Sequence, residues 1–250
     1  MEKVVIVTGG ADGIGKQIIV EFLKIGYIAV AFDINDEKIE QCLNEFADSN
    51  FYAFKCDVTS EDSVKKCIGE VVERYGRIDV LVNNAGGSLA ISQPVDEINV
   101  NDWDKVITLN LRSTFLCTKY AVSIMKSQKY GRIINMSSMA GRSRSVFGGA
   151  PYAAAKAGII GFTRQVSKDL GPMGITINAI APGTVISGDR ISTYWDKKSA
   201  EDKKRFFDSN PSGRLGLPID VARVVIFLSD ADSSFINGAV FDVNGGMWVG

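Results

Sequence analysis

Histidine is absent from all 250 residues. That excludes Ser-His-Asp triads, Cys-His dyads and His-ligated zinc. Proton transfer near neutral pH is left to Tyr, Lys, Asp, Glu or Cys. Cysteine is scarce as well: Cys42, Cys56, Cys67 and Cys117 form no CxxC pair. A zinc ribbon or redox pair is therefore not expected, and four reduced, mostly buried thiols are. No sign of charge dominates, since 28 Lys and Arg face 29 Asp and Glu for a net charge of −1. Such a balance argues against a nucleic-acid or membrane-surface binder. No apolar run is long enough to span a bilayer. Met1 to Gly9 runs into an apolar strand without a basic leader, so the expected location is the cytoplasm. No metal is expected.

What is present suits one complete α/β domain, 1–250, at 46% hydrophobic and 23% charged residues. Short apolar runs alternate with amphipathic stretches. Strands are expected at Val4–Val7, Ile28–Phe32, Phe51–Lys55, Val80–Val82, Arg132–Met136, Ile175–Ile180 and Val240–Val243. Helices are expected near Ile14–Ile25, Asp36–Phe46, Ser60–Tyr75 with Ser60 as N-cap, within Ile98–Ser127, and over Tyr152–Leu170. Nearly continuous β-branched runs such as VVIV suit strands covered on both faces. The alternation then predicts a doubly wound, seven-stranded parallel sheet with right-handed crossovers. Residues 187–210 are polar and charge-rich with interspersed Tyr194, Trp195, Phe206 and Phe207. They read as a substrate lid or as a solvated surface excursion.

Thr8-Gly9-Gly10-Ala11-Asp12-Gly13-Ile14-Gly15 joins the first strand to the first helix. Glycines let a backbone approach a pyrophosphate, and a helix N-terminus supplies free N–H groups; a tight strand-to-helix turn wants glycine too. Asp33 ends the second strand, where a carboxylate can accept from an adenosine ribose and repel a 2′-phosphate, which favours NAD over NADP. It can equally be a turn residue. Asp12 puts a second negative charge in the same turn. Asp57-Val58 after the third strand could meet an adenine amine, or simply end a strand. Asn83-Asn84-Ala85-Gly86-Gly87 follows the fourth strand, and Pro182-Gly183, Val185 and Ser187 follow the sixth. Strand C-terminal ends line the ligand crevice of open α/β sheets.

Tyr152 and Lys156 are four apart on an expected helix and share a face. A phenol with an ordinary pKa of about 10 is a poor base at neutral pH, and a neighbouring ammonium lowers that pKa. The pair can then exchange a proton with an alcohol or carbonyl without histidine. Ser137 and Ser138 end the fifth strand and could donate to a substrate oxygen, or serve as turn residues. Asn110 interrupts an apolar helical run, where an unsatisfied polar group costs on the order of 1–3 kcal/mol. It could hold a water or a backbone carbonyl.

In joint order and spacing the sequence resembles a short-chain dehydrogenase/reductase over essentially the whole chain, from Val4 to Asp242-Val243-Asn244-Gly245-Gly246. The Gly-rich turn, Asp57, the Asn83–Gly86 stretch and a tetrad of Asn110, Ser138, Tyr152 and Lys156 match that family's pattern. The resemblance implies a single-domain Rossmann fold, a nicotinamide cofactor and hydride transfer to or from a secondary alcohol. It also implies the roles: Tyr152 as acid/base, Lys156 lowering its pKa and binding the nicotinamide ribose, Ser138 orienting the substrate oxygen, and Asn110 supporting a water-linked relay. Cofactor contacts are implied at Gly9, Asp12, Gly13, Ile14, Gly15, Asp33, Asp57, Val58, Asn84, Ala85, Gly86, Pro182, Gly183, Val185 and Ser187. The family threonine after Pro-Gly is Ser187 here. Relatives are commonly tetramers, and a homotetramer is expected.

Within the family, NAD-linked oxidation of a sugar or polyol is the preferred expectation, with 3-oxoacyl carrier-protein reduction or hydroxysteroid oxidation as alternatives. A catalytically silent dinucleotide sensor is disfavoured because Tyr152 and Lys156 are both present. Arg142 and Arg144 could bind an anionic substrate or simply be solvated. The apolar Met247-Trp248-Val249-Gly250 could dock on its own subunit or across an interface.

Overall fold

The computed structural model describes residues 2–145, 148–187, 195, 196, 198–208 and 210–250. Seven strands form one parallel sheet: β1 (Val4–Thr8), β2 (Ile28–Asp33), β3 (Phe51–Lys55), β4 (Val80–Asn83), β5 (Gly131–Met136), β6 (Ile175–Pro182) and β7 (Val240–Val243). Their order is β3-β2-β1-β4-β5-β6-β7. The chain winds outward from β1 to β3, then returns to the other side of β1 at β4. The sheet direction of winding therefore reverses between β1 and β4, which opens a crevice at their C-terminal ends.

The helices are α1 (Gly13–Lys24), α2 (Asp36–Glu45), α3 (Glu61–Tyr75), α4 (Val100–Ile107), α5 (Ser113–Gln128), α6 (Ala150–Leu170), α7 (Ala200–Asp208) and α8 (Pro218–Ser229). Alternation along β1 decides the layering. Val5 and Val7 join Ile18 and Phe22 of α1 and Val221 and Val225 of α8 on one face. Val4 and Ile6 join Val64 and Ile68 of α3 and Leu116 and Met125 of α5 on the other. Both faces are covered, so the strands are mostly apolar, and the polar residues of β1, β4, β5 and β6 are buried. The four cysteines are free and buried, as expected.

The expected strands and first three helices lie where the sequence places them, and Ser60 caps α3 by accepting from Ser63 N. Two features differ. The expected Ile98–Ser127 helical stretch is broken by a π-helical turn, Thr108–Arg112, between α4 and α5. Helix α8 is additional; its VARVVIFL run reads equally well as a strand. Of the expected lid, 188–194, 197 and 209 lie outside the described residues. The rest includes α7, with Phe206 and Phe207 each edge-on to Trp195 at centroid distances of 4.9 and 5.5 Å.

A buried polar chain ties the strands beside the crevice to the helices. Asn83 Nδ2 donates to Asn135 Oδ1 at 2.8 Å and to Thr118 Oγ1 at 3.0 Å. Asn135 Nδ2 donates to Thr163 Oγ1 at 2.9 Å. It links β4, β5, α5 and α6 at the cost of leaving Asn83 Oδ1 without a partner. Asn135→Ala removes both of the Asn135 links in the interior. Its unfolding free energy in urea is expected to fall by roughly 1–3 kcal/mol; an unchanged midpoint and slope would show that the chain carries no stability.

Candidate active site

A cavity of about 640 Å³ occupies the crevice and runs from Asp33 at one end to Tyr152 and Ser145 at the other. Gly9, Asp12, Gly13 and Ile14 form its floor at the start of α1. Gly9 and Gly13 have φ of +60° and +53°, a conformation that side chains disfavour. A Cβ on Gly9 would also lie 3.2 Å from Ala85 Cα. Gly15 is not in the cavity lining; it is buried against the Gly9 carbonyl, where any Cβ would collide. Its glycine closes the turn. Asn84 fixes that turn to the neighbouring strand: its Nδ2 donates to Thr8 O at 2.9 Å and Gly9 O at 3.1 Å. Thr8 Oγ1 in return accepts from Asn84 N and Ala85 N, each at 3.0 Å.

Asp12 caps α1 by accepting from Gly13 N at 2.8 Å. It also forms an ion pair with Lys38 of α2. Lys38 lines the cavity and was not singled out from the sequence. The available signal was its place in the first turn of the helix after Asp33, within reach of the Gly-rich turn. Thr184 is a second lining residue of this kind. Asp33 faces the cavity, with one carboxylate oxygen accepting from Ala11 N and the other from Asn35 N, both at 3.1 Å. Asp57 and Val58 do not line the cavity. Asp57 Oδ1 accepts from the backbone N and the hydroxyl of Thr59, and Val58 is buried among the residues under α3.

The opposite end is built from β4, β5, the π turn and α6. Lys156 is 4% exposed. Its Nζ donates to Met136 O at 2.8 Å and lies 5.6 Å from the Tyr152 ring centroid. Burial lowers its pKa to about 8 from an ordinary value of 10.5. The group is thus mostly cationic at pH 7 despite its surroundings. Ser137 and Ser138 both line the cavity, but their hydroxyls do different things. Ser137 donates to Lys156 O at 2.8 Å and is committed to α6. Ser138 Oγ accepts from Ala140 N at 3.1 Å, which leaves its O–H available to donate.

Asn110 lies behind the cavity wall, fully buried in the π turn. Its Nδ2 donates to Gly87 O at 2.9 Å and Val106 O at 2.8 Å, and its Oδ1 accepts from Gly87 N at 3.1 Å. A Cβ on Gly86 would meet Asn110 Oδ1 at 2.5 Å and Lys156 Nζ at 3.3 Å. The loop after β4 can therefore pass between amide and ammonium only as glycine. Gly86, Pro182, Gly183, Val185 and Ser187 all line the cavity. Of the two arginines in the loop after β5, Arg144 is exposed and Arg142 is held by Asp242 of β7 and by the Gly250 carbonyl.

A lysine whose folded-state pKa is depressed makes stability depend on pH with a definite sign. Below pH 8 both folded and unfolded states hold the proton, and the burial penalty is fully present. Between about pH 8 and 10.5 the unfolded state holds more protons, so stability rises with pH over that window. Lys156→Met is expected to remove this rise, as read from urea unfolding at pH 7, 8, 9 and 10. An identical pH dependence in parent and variant would contradict the assignment.

The profile of the family described as "short chain dehydrogenase" matches residues 3–197. The (2S)-[(R)-hydroxy(phenyl)methyl]succinyl-CoA dehydrogenase subunit BbsD of Thauera aromatica is 36% identical over 98% of this chain and 96% of its own. The 3-oxoacyl-[acyl-carrier-protein] reductase FabG of Staphylococcus aureus is 36% identical over 100% of this chain and 99% of its own. Among solved structures, ElxO with NADP bound superposes with a TM-score of 0.91 at 35% identity, covering 99% of both chains. By sequence match along its length and by fold, the chain belongs to the short chain dehydrogenase family of nicotinamide-dependent oxidoreductases.

Proposed function

We propose that the protein interconverts a secondary alcohol and a ketone with NAD(H), using Tyr152, Lys156, Ser138 and Asn110. The observation that carries this reading is the buried Lys156 ammonium beside Tyr152, in one cavity with the glycine cradle of α1. The residues present fit a dinucleotide. The Gly9–Ile14 turn approaches the cavity as bare backbone, and the start of α1 offers N–H groups to a pyrophosphate. Asp33 would hold the adenosine ribose, while Asn84 to Gly86 and Pro182 to Ser187 would flank the nicotinamide half. Gly15 shapes the turn. Asp57 and Val58 remain assigned to the adenine side, acting from outside the cavity lining. When bound, the cofactor supplies the hydride acceptor or donor.

In this reading Ser138 donates its free O–H to the substrate oxygen. Tyr152 takes the hydroxyl proton during oxidation and returns it during reduction. Lys156 stabilises the phenolate and, with a pKa near 8, still carries its charge at neutral pH. Asn110 keeps Gly86 and Gly87 against Lys156, in addition to its expected part in the relay. Residues 187–210 would cover the substrate.

NAD is preferred because Asp33 faces the cavity end that a 2′-phosphate would enter, whereas the Asp12 charge there is paired with Lys38. The preferred substrate class is a sugar or polyol. The second reading, reduction of a 3-oxoacyl thioester with NADPH, is favoured by the relatives named for carrier-protein and CoA substrates. A homotetramer belongs to the same proposal, supported by the exposed apolar side chains of Val100, Trp103 and Phe115 on α4 and α5; a monomer in sedimentation equilibrium would remove it.

One assay separates these readings: cofactor absorbance with NAD or NADP against sugars, polyols, hydroxysteroids and 3-hydroxyacyl thioesters. NAD-linked turnover is expected, falling at least 100-fold in Tyr152→Phe. Asp33→Ser is expected to raise kcat/KM with NADP by 10-fold or more relative to NAD. Parental turnover in Tyr152→Phe would refute the tetrad, and NADP-only turnover of thioesters would establish the second reading.

A further inference from the structure

Two sequence features left open, the arginine after Gly141 and the apolar segment 247–250, meet in the structure. Ser138 caps a single 3₁₀ turn, Met139–Gly141. One side of that turn packs on α6: a Cβ on Gly141 would lie 2.6 Å from the Lys156 carbonyl carbon. Arg142 closes the turn, its N–H donating to Met139 O at 3.0 Å. Its side chain reaches β7 and the C-terminal residues that follow it. There its NH2 group donates to Asp242 Oδ2 at 3.2 Å and to Gly250 O at 2.7 Å. Its guanidinium carbon stands 4.5 Å from the Trp248 ring centroid. Trp248 is in turn held by Asn244, whose Nδ2 donates to Trp248 O at 2.9 Å.

The guanidinium is thus fixed by charge, hydrogen bonds and an aromatic face together, and this planar group suits all three. Both Arg142 and Asp242 side chains are mostly covered, at 17% and 25% exposure. The pair is therefore not a solvent-facing bridge of negligible weight. Arg142 does not line the cavity, although Ser145 and Gly148, which follow it, do. A direct substrate contact is not its place.

We propose that Arg142 is a positioning residue. Held by Asp242 and Trp248, it sets the 3₁₀ turn that orients the Ser138 hydroxyl, and it anchors the loop that continues to Ser145 and Gly148. The proposal rests on Ser138 acting on the substrate oxygen. Catalysis is sensitive to sub-ångström placement of such a group, so a contact outside the cavity can govern turnover without touching substrate.

Trp248→Ala tests this from the far side, leaving residues 138–142 unchanged. Hydrogen exchange of the Ala140 amide, which donates to Ser138 Oγ, is expected to accelerate at least 10-fold. Both Trp248→Ala and Arg142→Ala are expected to lower kcat/KM 10-fold or more while the NAD Kd stays within twofold. Arg142→Lys is expected to recover only part of the loss. In a Ser138→Ala background, adding Arg142→Ala should cost less than a further twofold. Folded Arg142→Ala or Trp248→Ala protein with parental kcat/KM, or unaltered exchange at Ala140, would overturn the proposal. So would losses that multiply in the double variant. Parental turnover in Ser138→Ala would overturn the tetrad reading with it, whereas loss there and none in Arg142→Ala overturns only this inference.

Discussion

A single ammonium group, taken out of water and held under the crevice, sets the terms for this half of the structure. Lys156 Nζ is buried and donates to Met136 O, and a charge so far removed from water is unfavourable. Its neighbours are arranged to keep it there. Ser137 fixes the lysine's own carbonyl, Gly141 packs on its backbone, and Gly86 leaves room above Nζ. Asn110 holds the Gly86–Gly87 loop from behind. Three chain segments distant in sequence, at 86–87, 110 and 136–141, are thereby committed to one lysine. Their glycines follow from that crowding rather than from turn formation alone.

The sheet was legible because both of its faces are covered, which leaves short apolar, β-branched runs bounded by turns. The same logic hid α8. Its buried residues Val221, Ala222, Val225 and Leu228 sit in an almost wholly apolar run, so periodicity could not distinguish helix from strand. The π turn was equally hidden, because it depends on what Asn110 bonds to across the fold and not on local propensity. Among the site residues, those joined by short spacing were legible as sets: the Gly-rich turn and the Tyr152–Lys156 pair. The distinction between Ser137 and Ser138 needed the position of Lys156 O. The partners of Arg142 lie about a hundred residues further along the chain, where no pattern of spacing could indicate them.

A division of labour follows from where each group is mounted. The Gly-rich turn, Lys156 and Ser138 sit at the ends of central strands or on a long helix, each fixed by hydrogen bonds. The elements expected to meet the substrate are the loop after Arg142 and residues 187–210. The first of these begins at the contacts of Arg142 with Asp242 and Gly250. Strand ends and helix starts obey rules of geometry that a sequence displays, whereas loop conformation is decided by contacts made elsewhere. The reaction type is accordingly readable from the chain, and the substrate is much less so.

The cofactor end shows how a charge that looks wrong in a sequence can be right in a fold. Asp12 lies in a turn that would receive a pyrophosphate, and alone it would repel one. In the structure its carboxylate caps α1 and pairs with Lys38, and the pairing offsets its charge locally. The cap favours the helix start, and the ion pair ties α2 to the Gly-rich turn. At the same end of the cavity the two Asp33 oxygens are oriented by the backbone N–H groups of Ala11 and Asn35. The Asp33 carboxylate is therefore placed by the backbone of the Gly-rich turn and of the loop after β2, so its orientation follows from the fold rather than from a side-chain partner's rotamer.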